Sequence, residues 1–346
     1  MALWAGSLLN SNETALLINQ YWNTKAISIV RCKNGLLYAV LGKSEPGATP
    51  LDVSWQRTNK VSGRNVQFTL RGRQKTIATV GDGEGAGNET SQWGGTVIPS
   101  NVFGAVELPL VHYADAEYFP SSELDRFQGD ELRTREWIAE KMDYLMESWE
   151  NTFGNALNTN TAAVPSRTQV CPWRHQISDG VTGGETVYRT YGLDRNDPAN
   201  ADFRGNVRTN IGNLTLKAIR DAKYDCLERG GVAAVGLAEN AVYSILMSEL
   251  EAYTVVTYDE EWSKFGGDYA SFAGTRFILE TRMAQGELGL IDPSTFVLWW
   301  RDKNFTRSGI VQDVTRRATM VLVWEHWVGF YCNKPNSNAV LTGITT

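Results

Sequence analysis

SELDRFQGDELRTREWIAEKMDYLMESWENTFGNAL, residues 122–157, carries the longest amphipathic pattern in the chain. Ile138, Met142, Leu145, Trp149 and Phe153 recur at steps of four, three, four and four, which draws one apolar stripe along an α-helix. Ser122 stands where an N-cap would, with Glu123 and Asp125 in the first turn, where the helix dipole favours acids. The other face mixes signs: Arg133, Arg135, Glu136, Glu140, Lys141, Asp143, Glu147 and Glu150. At ~1.5 Å per residue such a helix is about 50 Å long. That length predicts the backbone of an elongated domain rather than the centre of a small globule.

Upstream, SNETALLINQ (11–20) reads as a short helix, and AISIV (26–30) and GLLYAVLG (35–42) as short buried strands. The character then changes. From Val53 to Val80 there is no Asp or Glu, while Arg57, Lys60, Arg64, Arg71, Arg73 and Lys75 supply six positive charges. VQFTLR alternates Val66, Phe68 and Leu70 with polar residues, the period-2 signature of a strand, and KTIATV (75–80) repeats it more weakly. Together they predict an extended cationic β-hairpin outside the core. The Gly-rich, acidic stretch 81–95 is a flexible return.

Downstream, Gly183 to Asn213 reads as loop broken by a strand in ETVYRTY (185–191). Thr215 caps a helix with Leu216, Ile219, Lys223, Cys226 and Leu227 on one side, and Gly230 stops it. VAAVGL is a short strand, and AENAVYSILMSELEAY a second helix with Val242, Ile245, Leu246, Glu249 and Leu250 near one stripe. STFVLWW (294–300) and ATMVLVWEHWVGFY (318–331) are the best strands, rich in Val, Trp, Phe and Tyr. Trp149 and Phe153 are expected to anchor the long helix on the sheet that residues 318–331 contribute. Helices and strands are segregated rather than strictly alternating, so the class is α+β.

Composition narrows function. With 346 residues, 42% hydrophobic and 21% charged, the chain can bury a core. Its net charge of −6 argues against unselective nucleic-acid binding, which needs a positive field. Twelve Trp, 13 Tyr and 12 Phe favour large contact surfaces, such as interfaces or sugar grooves. Cys32, Cys171, Cys226 and Cys332 are too far apart in sequence to form a metal clip and read as reduced thiols. Apolar runs such as Met320–Trp324 fall far short of the roughly 20 residues that span a membrane. The first cation is Lys25, so no basic leader region is evident.

No cofactor or metal is implied. Gly81 to Gly87 lacks the Gly-Lys-Ser/Thr ending of a phosphate loop, and Asp82 and Glu84 would repel phosphate. Cys171 and His175 offer two ligands without a second pair, and Asp194 to Asp197 is half a calcium loop that reads as a turn. Asp259-Glu260-Glu261-Trp262 is the one glycosidase-like constellation, and adjacent carboxylates do not readily face each other across the ~5–9 Å such mechanisms need. The enzyme alternative is thus a carbohydrate-active protein with a Trp-lined groove. A further alternative is another virion part, and a tail-tube protein is contradicted by the long helix.

The order of these elements resembles the major capsid proteins of tailed bacteriophages, which share the Hong Kong 97-type fold. The resemblance implies an N-terminal arm with first strands (1–50), an extended E-loop (51–95), a P domain (96–205) built on a spine helix (122–157), an A domain (206–310) and closing strands that return to the P domain (311–346). It also implies a non-enzymatic shell protein of the virion, made in the bacterial host cytoplasm and assembled as hexamers and pentamers around the genome. Scaffold, portal and decoration proteins are the implied partners, with only weak contact to packaged DNA. Since Met1 precedes no charged helical prefix, a separate scaffold is expected, or none. Some members join an E-loop Lys to a neighbour's Asn; here Lys60 or Lys75 would match the donor and Asn333 or Asn336 the acceptor, in no fixed register. The six E-loop cations are expected at a subunit interface, and Glu136, Glu140, Glu147 and Glu150 as their acidic receiver.

Overall fold

The two richest β-formers in the chain meet in one sheet. The computed structural model describes residues 36, 65–72, 103–120, 131–158, 170–183, 189–251, 270–300, 307–312 and 319–345. In it β11 (Thr319–Cys332) is 14 residues long, about 46 Å at ~3.3 Å per residue. Its first half runs antiparallel between β3 (Val111–Pro120) and β10 (Arg307–Gln312). Its second half pairs with β9 (Phe296–Trp300), where Phe296 and Phe330, both fully buried, stack at 5.4 Å.

One face of this sheet is covered by α1 (Glu131–Asn158), 28 residues and about 42 Å long. Leu145, Trp149, Phe153 and Leu157 are buried at steps of four along the helix. Ile138 and Met142 lie on the helix with side chains outside the described residues, as does all of 121–130 with the expected cap. Trp149 and Phe153 stack on each other at 5.0 Å, and the ring of Tyr113 meets both edge-on at 6.4 and 6.0 Å. The sheet residue they meet is therefore on β3, opposite His326 of β11. A second tie is Lys141, whose Nζ donates to Glu117 Oε1 at 2.6 Å. The last residue of α1, Asn158, accepts from Trp173 Nε1 at 2.9 Å; Trp173 opens the four-residue helix α2 (Trp173–Gln176).

The second sheet has six strands in the order β4 (Asn206–Arg208), β12 (Ala339–Leu341), β8 (Leu288–Ile291), β5 (Val235–Ala238), β7 (Thr275–Leu279), β6 (Ala270–Phe272). Helices α3 (Leu216–Glu228) and α4 (Asn240–Glu251) cover it. Ile219, Ala222, Cys226, Val242, Leu246 and Leu250 pack on Phe277, Leu288 and Leu341. Thr215 caps α3 as expected, its Oγ1 accepting from Ala218 N at 3.2 Å. Leu227 and Glu249 were expected on the buried stripes and are exposed; Ala222 takes the inward place on α3.

Several placements differ from the sequence reading. β1 (Asn65–Arg71) pairs with β2 (Phe103–Pro109), and KTIATV, expected as its hairpin partner, lies outside the described residues. This ribbon is also not outside the core: Val66 and Leu70 are fully buried, and Phe68 stacks on Trp299 and Tyr331 at 6.1 and 5.9 Å. Across the boundary drawn at 310, β9 joins β11, while β12 returns to the six-stranded sheet. Of the strand expected at ETVYRTY, residues 185–188 lie outside the described residues and Arg189–Tyr191 is a turn, where Tyr191 is buried against the ribbon.

Candidate functional site

The densest polar chemistry lies at α2, in the CPWRHQ stretch weighed above for a metal. Gln176 Nε2 donates to the carbonyls of Cys171 and Phe330 at 3.1 and 2.9 Å. Its Oε1 accepts from Cys332 N at 2.6 Å and from the Tyr191 hydroxyl at 3.3 Å. Arg195, fully buried, donates to the carbonyls of Gln176 and His175 at 2.7 and 2.8 Å and lies over the Tyr191 ring. Arg174 pairs with Glu287 at 2.6 Å across to the six-stranded sheet; burial raises the Glu287 pKa and the guanidinium opposes it. The ring of Trp173 abuts Gly289 of β8, where a Cβ would come within 2.4 Å of it. Gly180, at φ +82°, likewise lets the chain close on the Arg195 carbonyl.

These groups hold elements together; they do not present reactive atoms. Burial pushes the Cys171, Cys226 and Cys332 thiols up to about 12, so they stay protonated and poor as nucleophiles or ligands. His175 is 2% exposed, and burial with Arg174 and Arg195 nearby lowers its pKa to about 4. Among the described residues no group of three His, Cys, Asp or Glu could hold a metal ion. Trp149 and Trp173 are buried in packing. A cavity of about 190 Å³ lined by Ala201, Asp202, Arg204, Arg229 and Asn336 has no aromatic wall. Asp259–Trp262 lies outside the described residues.

The His175 environment makes a pH prediction. A base whose folded pKa lies below its unfolded value near 6.5 leaves the unfolded state binding more protons between the two. Stability should therefore fall as pH drops from about 6.5 to about 4, by at most ~3 kcal/mol, and level off below. Urea midpoints across that window should flatten in His175→Gln. An equally steep fall in the variant would assign the effect to other groups.

Of the expected interface residues, Arg71 is described and exposed, on the polar face of β1; Arg57, Lys60, Arg64, Arg73 and Lys75 lie outside the described residues. Glu136, Glu140 and Glu147 are exposed on α1, and Glu150 lies on that helix with its side chain undescribed. The structure thus does not bring the two sets together within the described part of the chain. Asn336 is 1% exposed with Nδ2 donating to Asp202 O at 3.0 Å, and Asn333 is half-buried. No helix of the described residues is long and apolar enough to cross a membrane.

No family model matches the chain, and no curated protein does. Solved structures do. The capsid of cyanophage A-1(L) aligns with a TM-score of 0.57 at 9% identity, over 82% of this chain and 88% of that one. The capsid of an empty GTA particle aligns with a TM-score of 0.50 at 10% identity, over 82% and 86%. The long strand β11, the helix laid across its sheet and the separate six-stranded sheet with its two helices thus form an α+β fold shared with phage capsid proteins.

Proposed function

We propose that this chain is the major capsid protein of a tailed bacteriophage, a non-enzymatic subunit that self-assembles into the icosahedral shell around the genome. The observation that carries the reading is the fold shared with the cyanophage A-1(L) capsid over most of both chains. In this reading α1 is the spine helix of a P domain with the four-stranded sheet, and α3, α4 and the six-stranded sheet form the A domain. The segment between β1 and β2 belongs to the E-loop. Hexamers and pentamers of one chain need heterologous contacts that close into rings. Scaffold, portal and decoration proteins are its partners, the bacterial cytoplasm its place of assembly and the virion its final location. A net charge of −6 suits a lining that holds packaged DNA only weakly.

Sedimentation of the purified chain, alone and after co-expression with a scaffold, tests this. Capsomers or shells are the expected species. A stable 38.5 kDa monomer at high concentration, with no particles under either condition, would overturn the reading.

A further inference from the structure

Three arginines are linked in series through the main chain. Arg195 donates to the carbonyls of Gln176 and His175. Arg204 donates from Nε and Nη2 to the carbonyls of Arg195 and Asn196 at 2.6 and 2.8 Å, and Arg229 donates from Nη1 to the carbonyl of Arg204 at 3.0 Å. Gly180 packs against the middle member, since a Cβ there would stand 3.0 Å from Arg204 Nε. The Arg204 guanidinium is thus fixed along one edge. Carbonyls carry no formal charge, so these bonds orient the cation without neutralising it. Arg204 and Arg229 both line the cavity of about 190 Å³ that lies among the 3-10 turn Pro198–Phe203, the C-terminal end of α3 and the 3-10 turn Pro335–Ser337.

The remaining wall residues supply acceptors. Asp202 is half-buried and brings a carboxylate. Asn336 is 1% exposed, and its Oδ1 is buried with no hydrogen-bond partner among the described residues. Its Nδ2 donates to the Asp202 carbonyl, so the amide cannot turn over without losing that bond. Two guanidiniums against one carboxylate favour an anion, and the forked donors suit a planar or tetrahedral oxyanion. The carboxylate and the orphan amide oxygen need a donor in return, so the anion has to keep a proton. Orthophosphate does so at neutral pH. Sulfate and phosphodiesters carry none, and a phosphomonoester loses its own near pH ~6. We propose that this cavity binds free hydrogen phosphate, with its oxygens on Arg204 and Arg229 and its hydroxyl turned to Asp202 and Asn336. The ion ties the connection between β11 and β12 to the end of α3, and so bears on how the two sheets are joined. The site belongs to a single subunit and does not depend on the shell reading.

Equilibrium dialysis of the full chain against radiolabelled inorganic phosphate, at about pH 7.5 and fixed ionic strength, tests it. Binding rather than melting is the readout, because phosphate and sulfate both stabilise folded proteins by exclusion from their surfaces. One saturable site per chain is expected. Sulfate, glycerol phosphate and duplex DNA should each compete about tenfold more weakly than unlabelled phosphate, or worse. Arg229→Gln should weaken phosphate about tenfold by removing one fork. Asp202→Asn is the milder change, since it alters no hydrogen bond described for that side chain. It removes the repelling charge and adds a donor, so sulfate should then bind to within about threefold of phosphate. No saturable site in the parent, or equal competition by sulfate, overturns the proposal. Unchanged selectivity in Asp202→Asn does the same, whether or not Arg229→Gln folds. Glycerol phosphate that competes as well as phosphate at this pH would show that no retained proton is read.

Discussion

Trp149→Ala should destabilise the subunit by about 3–5 kcal/mol, the range for large aromatics removed from a core. Trp149 is 3% exposed, stacked on Phe153 and met edge-on by Tyr113, so its removal opens a void between α1 and the sheet. Neighbouring rings are themselves fixed by the backbone of β3 and α1 and cannot collapse freely into that space. The expected phenotype is insoluble or unfolded subunits, not folded subunits with altered assembly. A thermal melt unchanged from the parent would mean the helix turns a different face to the sheet.

Gln176→Leu is expected to cost a comparable amount, about 3–5 kcal/mol, although leucine nearly matches the volume. Four hydrogen bonds are lost at once, and the carbonyls of Cys171 and Phe330 and the amide of Cys332 each lose a buried partner. Buried polar groups left unpaired cost roughly 1–3 kcal/mol each, and that penalty rather than the void dominates here. Urea unfolding measures it. A variant within about 0.5 kcal/mol of the parent would show that water substitutes for the amide.

What could be read from sequence followed the range of the forces involved. Leu145, Trp149 and Phe153 were legible because one helix brings residues four apart onto one side. β9 and β11 were legible from residues whose branched or aromatic side chains suit a pleated surface. β3 was missed for a definite reason: Asp115 and Glu117 alternate with His112, Ala114 and Ala116, so charge sits on the strand's helix-facing side and spoils the period-2 pattern. The pairing of Glu117 with Lys141 offsets one of these charges, and Asp115 is exposed. Gln176 was equally hidden, since two of its partners, Phe330 and Cys332, lie 154 and 156 residues away in the chain. The order of elements, more than any motif, carried the resemblance that the solved capsids then matched.

The way β2 continues into β3 through the single residue Leu110 has a mechanical meaning. The segment between β1 and β2 leaves and re-enters at the paired residues Arg71 and Phe103. Tension on it along β2 passes through Leu110 and enters β3 at its first residue, Val111. β3 is joined to β11 by ten consecutive register pairs, from Val111 with Val328 to Pro120 with Thr319. A strand pulled lengthwise from its end strains all its rungs together in shear, whereas a strand peeled sideways breaks them one at a time. The ribbon is therefore tied to the subunit in the stiffer of the two geometries. A load applied through this ribbon would pull on the subunit in the direction it resists best.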